Sequence, residues 1–103
     1  MTFIQLVDAH SDKIDEIAAL AEEYQAATEG KRTGRRFIRM VDRNDPRRFV
    51  TAVFFDSYES AMENSQLPET QELAGKMAAL VDGPVTFHDL DVIDDSESES
   101  ESE

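Results

Sequence analysis

The stretch that decides the fold is residues 48–55, which read Arg48-Phe49-Val50-Thr51-Ala52-Val53-Phe54-Phe55. Aromatic and β-branched residues dominate it, and this composition predicts a β-strand. Successive side chains of a strand point to opposite faces of the sheet. One face of this strand therefore receives Phe49, Val53 and Phe55, and the other receives Val50, Ala52 and Phe54. Both faces are apolar, so the strand is expected to be covered on both sides.

The segments on either side of this strand predict five more elements. Alternating patterns predict strands at 2–8, 35–42 and 85–93. A helix is expected to begin at the cap residues Ser11 and Asp12 and to end near 29–30. A second helix is expected to begin at the cap 56–57, and Pro68 interrupts it and starts a new helical segment that stops at 82–84.

The order strand, helix, strand, strand, helix, strand is typical of the ferredoxin-like βαββαβ fold, an α+β fold with a four-stranded antiparallel sheet. Two helices can cover only one face of such a sheet. Because the other face is also apolar, we expect a second copy of the chain to cover it. The prediction is a homodimer in which two sheets pack face to face as a dimeric α/β barrel, with a cleft for a small-molecule ligand.

Length and charge divide the 103-residue chain into one domain and a tail. It carries 23 acidic and 10 basic residues, a formal charge of −13, and the last ten residues hold six acids and no base. Residues 1–93 are expected to form the domain, and the Ser/Glu-rich tail at 94–103 is expected to be disordered.

The absence of Cys excludes disulfides and thiolate chemistry. No apolar run is long enough to span a membrane and no signal peptide is recognisable, so we expect a cytoplasmic protein without a membrane partner.

Two stretches of sequence resemble a known superfamily. The first is Phe55-Asp56-Ser57-Tyr58-Glu59-Ser60-Ala61-Met62-Glu63-Asn64-Ser65-Gln66-Leu67-Pro68-Glu69-Thr70, and the second is Asp82-Gly83-Pro84-Val85-Thr86-Phe87, ending in Leu90-Asp91-Val92. Together with the order of elements they resemble the dimeric α/β-barrel superfamily, which includes the antibiotic-biosynthesis monooxygenase-like domains, and in particular small bacterial members without an assigned reaction. The resemblance covers residues 2–93.

The resemblance implies the fold more specifically than any activity. The quinone-forming monooxygenases and haem-degrading enzymes of the superfamily use a Trp near the second helix, and this chain has no Trp. The haem-degrading enzymes also use a His on that helix, whereas residues 57–81 contain none. Asn64 is comparable with a pocket Asn of such enzymes. The resemblance therefore carries over no catalytic set.

Few residues are candidates for a catalytic, metal-binding or ligand-binding role. His88 shares a strand face with apolar residues, where it is a candidate general base, an axial ligand or a hydrogen-bonded core residue. The run 88–91 contains His and Asp, but strand alternation sends the two Asp side chains to the face opposite His88, so no metal site is predicted. Tyr58, Asn64, Ser65 and Thr70 surround the break at Pro68, where they form either a pocket wall or helix caps.

Basic residues are concentrated at 31–48, a window with eight bases and two acids and a local charge of +6. Three interpretations stay open: an anion-binding groove around Arg39, an edge strand charged against aggregation, or a basic edge that pairs with the acidic edge of another copy. Nucleic acid is not an expected partner, because the chain as a whole is strongly acidic.

Two classes of function follow. The favoured one is a dimeric small-molecule-binding or accessory domain. The alternative is a cofactor-free monooxygenase-like enzyme that acts on a small aromatic or polyketide-like substrate. The candidate pocket residues are Phe37, Phe49, Thr51, Tyr58 and Phe87, and the candidate catalytic residues are His88, Arg39 and Asn64. No Gly-rich phosphate loop or metal-ligand spacing is present, so no cofactor is predicted.

Overall fold

The computed structural model describes residues 2–96. The elements follow in the order β1 (Phe3–His10), α1 (Ile14–Ala27), β2 (Arg36–Asp42), β3 (Asp45–Phe55), α2 (Tyr58–Ser65), α3 (Pro68–Leu80) and β4 (Asp82–Asp91). The predicted α+β class and the βαββαβ order are confirmed, with the second helix divided into α2 and α3. The prediction of a disordered tail falls largely on residues 97–103, which lie outside the described residues.

The four strands form one antiparallel sheet in the order β2-β3-β1-β4. The strands with apolar residues on both faces, β1 and β3, are its two central strands, and the charged strands β2 and β4 are its edges. The register pairs Phe3 with Phe55 and Val7 with Thr51 on β3, and pairs Val7 with Phe87 on β4. On β2, Phe37 pairs with Val53, so alternate residues of all four strands lie on a common face.

The helices α2 and α3 begin at the residues that the sequence predicts, whereas α1 does not. The Ser57 hydroxyl caps α2 by accepting the Ser60 N–H at 3.1 Å, and Pro68 begins α3 at its first turn, as predicted. At α1 the predicted cap is wrong, because the helix begins at Ile14 and its N-cap residue Lys13 makes no side-chain cap. The Ser11 hydroxyl accepts the Lys13 N–H at 2.8 Å and donates to the Leu80 carbonyl at 2.6 Å, which ties the β1–α1 connection to the end of α3.

The core between the sheet and the helices consists of two clusters. One contains Phe3, Val53, Phe55 and Ala61, and Phe37 packs against it. The other contains Ala9, Ile17 and Phe49, with partly buried residues from α1, α3 and β4 around it. The helices therefore cover one face of the sheet and leave the other, here called the helix-free face, uncovered within one chain. None of the described helices is long and apolar enough to cross a membrane.

Candidate ligand cavity

A cavity of about 160 Å³ lies between the helices and the sheet. It is lined by residues of all seven elements: Gln5, Val7, Tyr24, Phe37, Val53, Phe55, Asn64, Thr70, Leu73, Ala74, Met77, Val85 and Phe87. Most of these side chains are apolar, and none of them is a carboxylate, a His, a Lys or an Arg. A cavity of this size holds a single aromatic ring, since an engineered apolar cavity of about 150 Å³ binds benzene.

A second, smaller cavity of about 90 Å³ adjoins the first. Gln5, Phe55, Asn64 and Thr70 line both cavities. The smaller cavity adds Tyr58 and Asp89, and the Asp89 carboxylate accepts a hydrogen bond from Gln5 Nε2 at 3.1 Å. The two cavities together can accommodate a molecule that extends beyond one ring along the sheet.

One wall of the larger cavity is polar, and Asn64 is its centre. Asn64 is only 6% exposed and lies near the end of α2. Its Oδ1 accepts the Thr33 backbone N–H at 3.0 Å, and its Nδ2 donates to the Tyr24 hydroxyl at 3.0 Å. Both contacts join segments far apart in sequence, so Asn64 links α2 to α1 and to the loop before β2.

The polar wall continues from Asn64 to α3. The Tyr24 hydroxyl lies 2.8 Å from the Thr70 hydroxyl, and Tyr24 as a whole is 7% exposed. Buried Tyr hydroxyls normally have a hydrogen-bond partner, and this one has two. The result is a chain of hydrogen bonds running Thr33, Asn64, Tyr24, Thr70 along the cavity wall.

The structure divides the residues predicted from the sequence into three groups. Phe37, Asn64 and Phe87 line the larger cavity, and Tyr58 lines the smaller one. Phe49 belongs to the second core cluster, and Thr51 faces the helix side but lines neither cavity. Arg39 is exposed on the edge strand β2, in register with Thr51.

His88 lies on the helix-free face, away from both cavities. Its Nε2 is 3.8 Å from Asp8 Oδ2. Arg48 binds the same carboxylate through two hydrogen bonds of 3.1 and 2.8 Å and also donates to Asp42 at 3.0 Å. The hydrogen bonds from Arg48 hold the pKa of Asp8 below its usual value. The Asn44 backbone N–H and Arg48 together lower the pKa of Asp42.

The remainder of the helix-free face is largely apolar. The alternation of the strands places eight apolar residues on it: Ile4, Leu6, Ile38, Met40, Val50, Ala52, Phe54 and Leu90. Met40 and Leu90 are 43% and 45% exposed. Arg36 lies over the Phe54 ring, with its guanidinium carbon 5.6 Å from the ring centre. Arg48, Asp8 and Asp42 form a group that is here called the Arg48 cluster. His88 and the Arg48 cluster therefore lie on the helix-free face, next to its apolar residues, and they line neither cavity.

Sequence analysis did not assign Tyr24, which lies in α1, to a site. The signal was present, because a Tyr in a buried stripe needs a partner for its hydroxyl. Gln5 was recognisable as a polar residue among apolar strand neighbours. Thr33 offered no signal, because it contributes a backbone N–H whose partner is 31 residues away. Among the described residues, no group of three or more metal-ligating side chains lies close together.

No protein-family model matches the chain, and a comparison with curated proteins also gives no match. Solved structures do match its fold. A candidate antibiotic-biosynthesis monooxygenase from Nitrosomonas europaea superposes with a TM-score of 0.76 at 15% identity, covering 89% of this chain and 90% of that one. SnoaB, a cofactor-independent oxygenase from Streptomyces nogalater solved as a variant, gives 0.78 at 9% identity, with 91% and 95% covered.

A conserved protein from Methanosarcina mazei is also similar, with a TM-score of 0.77 at 9% identity over 87% of this chain and 91% of that one. At these identities the similarity concerns the fold alone. The chain has the fold of the antibiotic-biosynthesis monooxygenase-like proteins, and the resemblance seen in the sequence is confirmed at that level.

Proposed function

We propose that this protein binds a small, uncharged, largely apolar molecule in the cavity between its sheet and helices. The observation that carries the proposal is the composition of the cavity wall: apolar side chains surround one cluster of uncharged polar groups formed by Tyr24, Asn64 and Thr70. Small-molecule sites have this composition, in which apolar surface provides affinity and a few placed polar groups provide orientation.

The aromatic lining specifies the ligand further. Phe37 and Phe87 lie on the two edge strands, and Phe55 lies on a central strand between them. Phe87 is 57% exposed although it lines the cavity, so the cavity is accessible from the β4 side. Rings at these positions favour a planar aromatic ligand, because aromatic pairs gain from offset or edge contacts.

An enzymatic function is the second candidate, and one feature supports it. The solved relatives include a cofactor-independent oxygenase, and Asp89 in the smaller cavity is a carboxylate positioned to remove a proton from a bound substrate. In such a reaction O₂ would convert an activated CH₂ group of the substrate to C=O and leave its second oxygen atom as water. We favour binding because the larger cavity offers no carboxylate or imidazole among the described residues to act as a base.

The function is tested by a two-dimensional NMR titration of the full chain with isopropylbenzene, a neutral single-ring probe. We expect saturable shifts at amides near Phe37, Val53 and Phe87 and none at the exposed face of α1. The absence of saturable shifts would refute the binding proposal. The enzymatic alternative is tested by oxygen uptake with a phenolic probe such as 1-naphthol, and uptake that disappears in Asp89→Asn would favour the enzyme.

The assembly that we propose is a homodimer in which the helix-free faces of two chains pack together. Two features support it. The face carries eight apolar side chains, two of which, Met40 and Leu90, are exposed, and a contiguous apolar patch of this kind marks an interaction surface. The Arg48 cluster at its edge is already paired within one chain, so its guanidinium could enter an interface with its hydrogen bonds made.

A further inference from the structure

We infer that the hydroxyl pair of Tyr24 and Thr70 is the point at which the cavity recognises its ligand, and that it selects an uncharged hydrogen-bond acceptor oxygen. The inference rests on the proposed binding function and specifies the chemistry that the site accepts. It follows from counting the hydrogens along the polar wall.

The direction of the hydrogen-bond chain is set at its start. The Thr33 backbone N–H can only donate, so the Asn64 atom that it contacts must be the carbonyl oxygen. This assigns the amide orientation and leaves Nδ2 facing the Tyr24 hydroxyl at 3.0 Å. The Tyr24 oxygen therefore accepts a hydrogen bond from Asn64.

One hydroxyl hydrogen is then left over. Tyr24 and Thr70 have two hydroxyl hydrogens between them, and the 2.8 Å contact between their oxygens uses one. Among the described residues, neither hydroxyl has another acceptor. Whichever of the two donates to the other, a single O–H remains to donate, and both residues line the cavity.

A hydrogen-bond acceptor oxygen on the ligand would complement the free O–H of this wall. A carbonyl or ether oxygen on the ligand would take the spare hydrogen, and the donor is strengthened because consecutive hydrogen bonds in a chain polarise one another. An apolar ligand would exclude water from this wall and leave the hydrogen without a partner, which is unfavourable, so a pure hydrocarbon binds less well.

An anion is disfavoured at the same point. No Lys, Arg or His side chain lines the larger cavity, and Asp89 lies beside its polar end in the smaller one. A carboxylate ligand would lose its hydration without gaining a cationic partner, and it would lie near a like charge. The basic residues of the chain therefore have no part in this selection.

The test compares three probes of similar shape on the full chain by NMR titration: acetophenone, isopropylbenzene and benzoate. We expect acetophenone to bind about fivefold more tightly than isopropylbenzene, corresponding to one neutral hydrogen bond. Benzoate should bind more weakly than either. Each probe has one ring, which suits the cavity volume.

Matched variants identify the donor. Tyr24→Phe and Thr70→Val each keep one hydroxyl with a free hydrogen, so each should keep the preference for acetophenone. The double variant Tyr24→Phe/Thr70→Val has no hydroxyl and should bind acetophenone and isopropylbenzene equally. Far-ultraviolet circular dichroism checks that each variant is folded. Asn64→Leu removes the amide hydrogens and keeps both hydroxyls, so it should keep the preference for acetophenone. A folded Asn64→Leu variant that binds acetophenone and isopropylbenzene equally would assign the donor to the Asn64 amide and overturn the inference.

A measurement on the unaltered protein covers the case in which the double variant does not fold. Acetophenone bound to the wild-type chain should show a carbonyl stretching band at lower frequency than in hexane, because hydrogen bonding weakens the C=O bond. An unshifted band, or equal affinity for acetophenone and isopropylbenzene, overturns the inference while leaving the binding function intact. If none of the probes binds, the proposed function itself fails.

Discussion

The side-chain amide of Asn64 donates a hydrogen bond to the Tyr24 hydroxyl at 3.0 Å, joining two residues 40 positions apart in the chain. The contact fastens the short helix α2 to α1 over the end of the cavity. Since the same Asn side chain also accepts the Thr33 N–H, one residue links three segments.

Replacing Asn64 by Leu should therefore destabilise the protein by about 2 kcal/mol, because the variant removes the buried hydrogen bond to Tyr24 and leaves the partly buried Thr33 N–H without an acceptor. Urea unfolding measures the change. The control is Gln66→Ala, an exposed position at the end of the same helix, which should change stability by less than about 0.5 kcal/mol. Equal midpoints for the two variants would contradict the structural role of Asn64.

Ala74→Trp should abolish binding of isopropylbenzene. Ala74 lines the cavity yet is exposed on α3, so an indole at this position can enter the cavity without displacing a core residue. NMR titration measures the affinity. The matched control is Ala78→Trp, on the same helix and exposed but not lining either cavity, which should bind the probe like the wild type. Full binding by Ala74→Trp would place the ligand elsewhere.

Light scattering should give twice the mass of one chain, both for the full chain and for residues 1–93. Leu6→Glu places a carboxylate in the middle of the helix-free face and should shift the mass toward that of one chain, because an unpaired charge in an interface is strongly unfavourable. Ala19→Glu, on the exposed side of α1, should leave the dimer unchanged. A monomeric wild type would refute the proposed assembly.

Stability should fall in acid through Asp8 and Asp42. Arg48 contributes to lowering both pKa values in the folded chain. A carboxyl whose folded pKa lies below its unfolded pKa of about 4 stabilises the fold above that pH, and this contribution disappears as the pH falls through the folded value.

Arg48→Gln should therefore reduce stability at neutral pH and flatten its dependence on pH below about 4. Urea midpoints measured from pH 2 to pH 7 provide the test. Arg43→Gln, at the exposed turn between β2 and β3, is the control and should keep the wild-type profile. Parallel profiles for wild type and Arg48→Gln would show that Arg48 does not lower these pKa values.

Two glycines should respond to Ala in opposite directions. Gly75 lies inside α3 with open space around the position of a Cβ, so Gly75→Ala should stabilise the protein by about 0.5–1 kcal/mol. At Gly34 a Cβ would lie 2.9 Å from the Phe37 ring, which packs against the first core cluster. Gly34→Ala should therefore destabilise the fold and displace a cavity side chain. Thermal unfolding measures both, and equal shifts in melting temperature would contradict the packing of Phe37.

Much of the fold could be read from local pattern. The run 48–55, apolar on both faces, predicted a strand that is covered on both sides, because alternation determines which side chains share a face. A charged edge strand was one of three interpretations of the basic window at 31–48. Ser57 marked the start of one helix because its hydroxyl can accept a backbone N–H of the first turn. Pro68 marked the start of another because the first turn of a helix does not need its missing N–H. In each case the structure-determining interaction lies within a few residues, which is why the sequence displays it.

The site depended on contacts that only the tertiary structure decides. Alternation showed that His88 and Phe87 lie on opposite faces, but not which face the helices cover, and that choice puts Phe87 in the cavity and His88 outside it. The partners of Asn64 are 31 and 40 residues away, and no local periodicity encodes such a separation. The sequence by itself determined the elements and their faces; the packing of helices on the sheet decided which polar groups meet, because hydrogen-bond partners are set by distance in space.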